Sequence, residues 1–239
     1  MKLEILYEDD EYVIVNKPSG VLSIADRHNA ELISIAKLLR DKYENILIVH
    51  RIDKETSGCI CFAKTEQAHK HLSKLFESRN IEKIYLGIIH GSFDEKSGLM
   101  EGAIMEHPTI KGKMLINQKQ GKPSTTVYNT LESFGTYSLV EYKILTGRTH
   151  QIRLHSSNAG HPIVCDSLYG LTNPVFISSL KKKYNLSKDE LEEKPILNRL
   201  ALHAYKLKFK AENGKDIEVE APLSKDMNAM LKQCRKWLK

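Results

Sequence analysis

Residues 46–63 read Ile46-Leu47-Ile48-Val49, then His50-Arg51-Ile52-Asp53-Lys54-Glu55-Thr56-Ser57-Gly58, then Cys59-Ile60-Cys61-Phe62-Ala63. The short continuous apolar run is the signature of a buried strand, the polar stretch leaves it as a loop, and the strand pattern resumes at Cys59. Toward the N-terminus, Leu3 to Val15 is strand material with a turn at Glu8-Asp9-Asp10-Glu11, followed by the breaker cluster Asn16-Lys17-Pro18-Ser19-Gly20. Leu32, Ile35, Ala36 and Leu39 fall at helical spacing. Toward the C-terminus, Thr65 is placed to cap a helix whose buried stripe is Ala68, Leu72, Leu75 and Phe76. Ile84 to Ile89 predicts another strand, stopped by Gly91.

Between Met105 and Ser124 the periodicity disappears. That segment carries Lys111, Lys113, Lys119 and Lys122 with Gly112 and Gly121, and reads as a basic loop, either a solvated excursion or a nucleic-acid contact. Val140, Tyr142 and Ile144 alternate along a strand, Gly147 breaks it, Thr149 can cap a helix, and Gly160 and Pro162 end that helix. Residues 181–194 are charged and read as peripheral. Ala201–Phe209 and Ile217–Ala221 suggest a strand pair around Asn213-Gly214, and Ser224 begins a helix with Met227, Leu231, Cys234 and Leu238 inward. Strands and helices mix without strict βαβ alternation and without a repeat or a Pro/Gly/Ser-rich linker. The reading is one α+β domain.

A chain of 239 residues buries roughly 70% of its unfolded surface and needs no staples. Its four cysteines, Cys59, Cys61, Cys165 and Cys234, lack paired zinc-ligand spacing and read as reduced thiols of a cytosolic protein. The beginning of the sequence lacks a leader-like apolar run, and no stretch reaches the ~18 apolar residues of a membrane span. The surplus of 36 Lys+Arg over 30 Asp+Glu, a formal charge of +6, permits a polyanionic partner without requiring one.

Three segments concentrate reactive groups. In His50–Gly58, Asp53 lies just beyond a buried strand with Thr56 and Ser57 near enough to orient it; the alternative is an Asx-type turn. Thr146-Gly147-Arg148-Thr149-His150-Gln151-Ile152-Arg153-Leu154-His155 sets Arg148, Gln151 and His155 near one helix face and His150 and Arg153 near another. It reads as an anion site at a helix start or as a solvated polar helix. His150, His155 and His161 lack the i,i+4 pairing and accompanying carboxylate of a metal motif, so no metal is expected. Tyr85, in Lys83-Ile84-Tyr85-Leu86-Gly87, taken alone reads as a core aromatic.

In order along the chain, these segments resemble the RluA class of pseudouridine synthases. His50–Gly58 is similar to that family's H-R-L-D-x-x-T-S-G signature, with Ile52 in place of Leu. Glu4–Asp9 followed by Val15–Gly20 resembles its opening motif, Lys83 with Tyr85 its K-x-Y strand, and Thr146–His155 its T-G-R-T-H-Q-I-R-x-H block. Gly160-His161-Pro162-Ile163, Asp166-Ser167-Leu168-Tyr169-Gly170 and Leu202-His203-Ala204 match the remaining blocks, with Cys165 where the family commonly has Gly. The resemblance spans about residues 3–223.

It implies a single catalytic domain over residues 1–239, the last helix at about 224–239, with no N-terminal S4 domain. The fold expected is a mixed, mostly antiparallel central sheet flanked by helices, with the active-site cleft across it. The activity implied is isomerisation of uridine to pseudouridine in rRNA or a tRNA stem-loop, with base flipping, without cofactor, metal, DNA or membrane, by a cytoplasmic monomer. Asp53 is implied as the essential carboxylate, Arg153 as the cation that orients it and keeps it ionised, and Tyr85 as the group that stacks on the base and takes the C5 proton. Arg51, Thr56, Arg148 and His150 are the expected substrate-binding residues. A non-catalytic RNA-binding protein on the same fold would tolerate loss of Asp53. A metal-dependent nuclease would want convergent carboxylates, and Asp53 has only Glu55 nearby in sequence.

Overall fold

A computed structural model describes residues 3–26, 29, 31–181, 183–184 and 192–238. In chain order it runs β1 (Glu4–Glu8), β2 (Tyr12–Lys17), α1 (Ile35–Arg40), β3 (Leu47–Ile48), β4 (Ser57–Ala63), α2 (Glu66–Glu77) and β5 (Glu82–His90). It continues through β6 (Ser97–Glu106), β7 (Met114–Ile116), β8 (Lys122–Ser133), β9 (Tyr137–Ile144), α3 (Gln151–Asn158), β10 (Leu202–Lys210), β11 (Asp216–Glu220) and α4 (Lys225–Trp237). This is the α+β class. The chain groups into two compact units: Met1–Tyr85, Lys143–Leu145 and His203–Pro222 form the first, and Leu86–Tyr142, Thr146–Leu202 and Leu223–Lys239 the second.

In the first unit β1 and β2 form an antiparallel hairpin whose turn is tied by Asp9, which accepts from the N–H groups of Glu11 and Tyr12 at 2.9 and 2.7 Å. β2 pairs antiparallel with β4, and β4 pairs with β3 on its antiparallel side and with β10 in parallel. β11 folds back on β10. β2 and β4 are apolar runs rather than alternating ones because both their faces are covered. Tyr12, Ile14, Cys59 and Cys61 pack with Leu207, Phe209 and the α2 residues Ala68 and Leu72. Val13, Val15, Ile60 and Phe62 pack with Ile35, Ala36 and Leu39 of α1. Thr65 caps α2 as its position predicts, accepting from the Ala68 N–H at 3.1 Å. Leu32, which the spacing places on the α1 stripe, precedes that helix and is 41% exposed.

In the second unit β6 and β8 form a long antiparallel ladder from Ser97↔Asn129 to Ile104↔Lys122, and β7 pairs with β6. The expected loop over residues 105–124 is therefore partly strand. Polar and small residues occupy much of β6 and β8, and many positions are only half-buried, so no apolar run announces them. α3 is capped by His150 in the left-handed conformation (φ 55°) rather than by Thr149, so Arg148 lies before the helix and on none of its faces. It ends, as its sequence indicates, before Gly160 at φ 83°. α4 buries Met227, Met230, Leu231 and Cys234, while Leu238 is its C-cap residue. Ser224 precedes α4, but its Oγ accepts from Arg199 Nη2 at 2.5 Å instead of capping the helix.

All four cysteines are buried free thiols. Burial raises each thiol above its usual range, Cys59 to about 12 and Cys234 to about 11. Among the described residues no helix is long and apolar enough to cross a membrane. Part of residues 181–194 lies outside the described residues.

Candidate active site

The Asp53 loop is held almost entirely by its own backbone carbonyls. Ser23 Oγ donates to the Ile52 carbonyl at 2.7 Å and accepts from the Ile52 N–H at 3.2 Å. The Thr56 N–H closes a turn onto the Asp53 carbonyl at 3.1 Å. The Lys54 carbonyl accepts from the Gly20 N–H at 2.9 Å and from Lys17 Nζ at 2.8 Å, and the Glu55 carbonyl from Ser19 Oγ at 2.6 Å. Lys17 is fully buried, and its ammonium also donates to the Val21 and Pro18 carbonyls at 2.7 and 3.1 Å. The breaker cluster after β2 is thus the cradle of the loop. A buried cation and two hydroxyls replace the ladder bonds that a loop gives up.

Both ends of the loop are pinned. At its start His50 Nε2 accepts from the Cys61 N–H at 3.0 Å while the ring stacks on Phe76, centroids 4.7 Å apart. Accepting an N–H requires a neutral ring, and burial lowers the His50 pKa to about 3, helped by the Lys83 charge. At its exit Ser57 Oγ lies 2.8 Å from His203 Nδ1, and His203 Nε2 lies 3.2 Å from the Ala221 carbonyl. A carbonyl only accepts, so Nε2 carries a proton. Gly58, at φ 109°, pairs with Ala204, whose carbonyl oxygen would lie 2.1 Å from any Cβ added there. Only glycine fits that approach.

The first unit brings Asp53 and Tyr85 within electrostatic reach of one another. Asp53 is half-buried, and burial raises the Tyr85 phenol well above its usual range, with the Asp53 carboxylate pushing it further. The tyrosine therefore stays protonated near neutral pH. Thr56 is buried at 1% exposure, which withdraws it from the surface open to a substrate, whereas Arg51 is exposed. On the same strand as Tyr85, Lys83 has its pKa lowered to about 8 by burial and by the Arg79 charge.

The second unit contains the remaining expected residues. Thr146 Oγ1 donates to Gln151 Oε1 at 2.7 Å, and Gln151 Nε2 donates to the Thr125 carbonyl and to Thr126 Oγ1 at 3.0 and 2.8 Å. One turn on, His155 spans Ser124 Oγ (2.9 Å from Nε2) and Thr126 Oγ1 (3.0 Å from Nδ1). Ser124 Oγ already donates to the Gly102 carbonyl at 2.6 Å, so His155 Nε2 donates to it and Nδ1 accepts from Thr126. Burial lowers the His155 pKa to about 4, consistent with that neutral tautomer. These bonds fasten α3 to β8, so Gln151 and His155 do share a face.

Arg153, from the other side of α3, is 4% exposed and binds Asp166 through both Nε and Nη2 at 2.8 Å. Its guanidinium carbon stands 5.2 Å from the Tyr169 ring centroid. His150 Nδ1 lies 2.9 Å from Tyr169 Oη, and Arg148 Nε donates to the Pro123 carbonyl at 3.2 Å. Lys17, His50 and His203 scaffold the Asp53 loop in the first unit, and Asp166 and Tyr169 hold Arg153 in the second. Their only signal in the sequence is membership of the quoted motif blocks.

A family profile described as RNA pseudouridylate synthase matches residues 11–158. The chain belongs to the RNA pseudouridylate synthase family. It is 32% identical to ribosomal large subunit pseudouridine synthase C of Haemophilus influenzae over 97% of this chain and 69% of that protein. It is 34% identical to ribosomal large subunit pseudouridine synthase D of Nitrosomonas europaea over 98% of this chain and 65% of that protein. Among solved structures, human RNA pseudouridylate synthase domain containing 4 aligns with a TM-score of 0.74 at 27% identity, over 97% of this chain and 93% of that one. The RluA-class resemblance and the isomerase activity of this pseudouridine synthase follow from these matches.

Proposed function

We propose that this synthase isomerises uridine in ribosomal RNA of the large subunit, with Asp53 as the essential carboxylate. The observation that carries the reading is the relatives' similarity over nearly the whole chain, the Asp53 loop included, to enzymes named for that RNA. The N1–C1′ bond breaks, the uracil turns, a C5–C1′ bond forms, the C5 proton leaves and N1 gains one. Atoms and electrons balance within the substrate and solvent, so no cofactor enters. The target nucleotide leaves its stack at a cost of a few kcal/mol. Arg153 is the cation that supports the Asp53 carboxylate. Tyr85 forms the wall against the base. Arg51 and Arg148 hold flanking phosphate, and His150 completes that surface. The protein works as a cytoplasmic monomer, a single catalytic domain, and its partner is RNA rather than DNA.

The test is chemical mapping of pseudouridine in total RNA from cells with the gene, without it, and with Asp53→Ala in its place. A ribosomal position that loses its pseudouridine in both altered strains is the expected result. Retention of every pseudouridine in the Asp53→Ala strain would make the protein a non-catalytic RNA binder, and a lost position in tRNA would move the substrate.

A further inference from the structure

The block Asp166–Gly170 has no role in the proposed reaction, yet it holds Arg153. Asp166 is fully buried, and its two oxygens take four donors. Oδ2 accepts from Arg153 Nε at 2.8 Å; Oδ1 accepts from Arg153 Nη2 at 2.8 Å and from the N–H groups of Leu168 and Tyr169 at 2.9 and 3.1 Å. The carboxylate is thus fixed by its own backbone turn before it meets the arginine, and the Gly170 N–H closes that turn onto the Asp166 carbonyl at 3.0 Å. A guanidinium gripped along its Nε–Nη2 edge cannot rotate about its long axis, which a lone lysine-like contact would permit. Tyr169 closes over the plane, its ring 5.2 Å from the guanidinium carbon.

Tyr169 is itself tied at three points. Its Oη accepts from the Met114 N–H at 2.7 Å and lies 2.9 Å from His150 Nδ1; its carbonyl accepts from Ser157 Oγ, on α3, at 2.6 Å. We propose that Asp166 and Tyr169 are positioning residues that set the plane and heading of the Arg153 guanidinium for the reaction. They are not merely core contacts. This rests on the reading of Arg153 as the cation that supports the Asp53 carboxylate. A misplacement of about 1 Å at a group that serves the reaction can cost about 10²-fold.

The protein is assayed on RNA containing its target uridine, as kcat and KM, for wild type, Asp166→Glu and Tyr169→Leu. Asp166→Glu keeps the charge but moves the guanidinium by a methylene. Tyr169→Leu removes the ring but leaves both members of the Arg153–Asp166 pair, so one variant can stand if the other fails to fold. The expected result is a fall in kcat of up to about 10²-fold with KM within about twofold. A wild-type kcat in both variants, or a loss of kcat that only follows the folded fraction, overturns the inference alone. A wild-type protein that makes no pseudouridine in any RNA overturns the underlying reading, and this inference with it.

Discussion

At the scale of single residues the site is governed by which groups are kept neutral and which are kept charged. His50 spends its lone pair on the Cys61 N–H, and so cannot serve as an acid or base near neutrality. Tyr85 is held as a phenol by burial and by Asp53. A protonated phenol packs on a uracil ring and donates a hydrogen bond, but it accepts the C5 proton only after its own has gone. Two roles for Tyr85 are thereby separable. In Tyr85→Phe, RNA affinity should stay within about threefold of wild type, because the ring remains. Product should fall by at least about 10²-fold if the hydroxyl moves the proton. Single-turnover assays that resolve cleaved base from rejoined product distinguish the two, and wild-type-like product formation would leave Tyr85 a packing residue.

At the scale of elements, α3 is secured to β8 by Gln151 and His155 through side chains rather than by an apolar stripe. That choice gives the element a pH dependence. The His155 pKa is about 4 in the folded protein and ~6.5 in the unfolded chain. Between those values the unfolded chain binds the extra proton, so stability is present above about pH 6.5 and is lost as pH falls toward 4. His50, lowered to about 3, acts in the same direction. Thermal melts in matched buffers should show Tm dropping from pH 7 to 4.5, and a His155→Gln variant, less stable at pH 7, should show a shallower drop. An equal slope in both would remove His155 from the account. The elements also show what a sequence displays and what it hides. β2, β4 and β5 are legible because both faces of the first two are buried and the apolar run is continuous. β6 and β8 are hidden because small and polar residues interrupt their half-buried faces. Asp53, Tyr85 and Arg153 were legible only as members of ordered motifs. The Arg153–Asp166 pair was not, since a bond between residues 13 apart across a helix end leaves no periodic trace.

At the scale of the whole molecule, the charge of +6 becomes an expectation about salt. Lys111, Lys119 and Lys122 are exposed around the β6–β7–β8 turns, and Lys113 Nζ lies 5.9 Å from the Tyr169 ring. If all four meet RNA phosphates, replacing them by Gln should reduce the slope of log K against log[salt] by roughly 3, at about 0.7–0.9 per phosphate contact. Filter-binding titrations from 50 to about 300 mM salt read it directly, and an unchanged slope would return the segment to plain solvated surface. The turnover of the bound complex should change little, because none of these residues is assigned to the reaction.

The buried thiols have a practical consequence. With Cys59, Cys61, Cys165 and Cys234 enclosed and their thiolates disfavoured, the folded protein should react only slowly with maleimides and iodoacetamides. A single cysteine introduced at an exposed surface position would then be the sole reactive handle. A fluorophore or spin label could be attached there without first stripping the natural sulfur from the core.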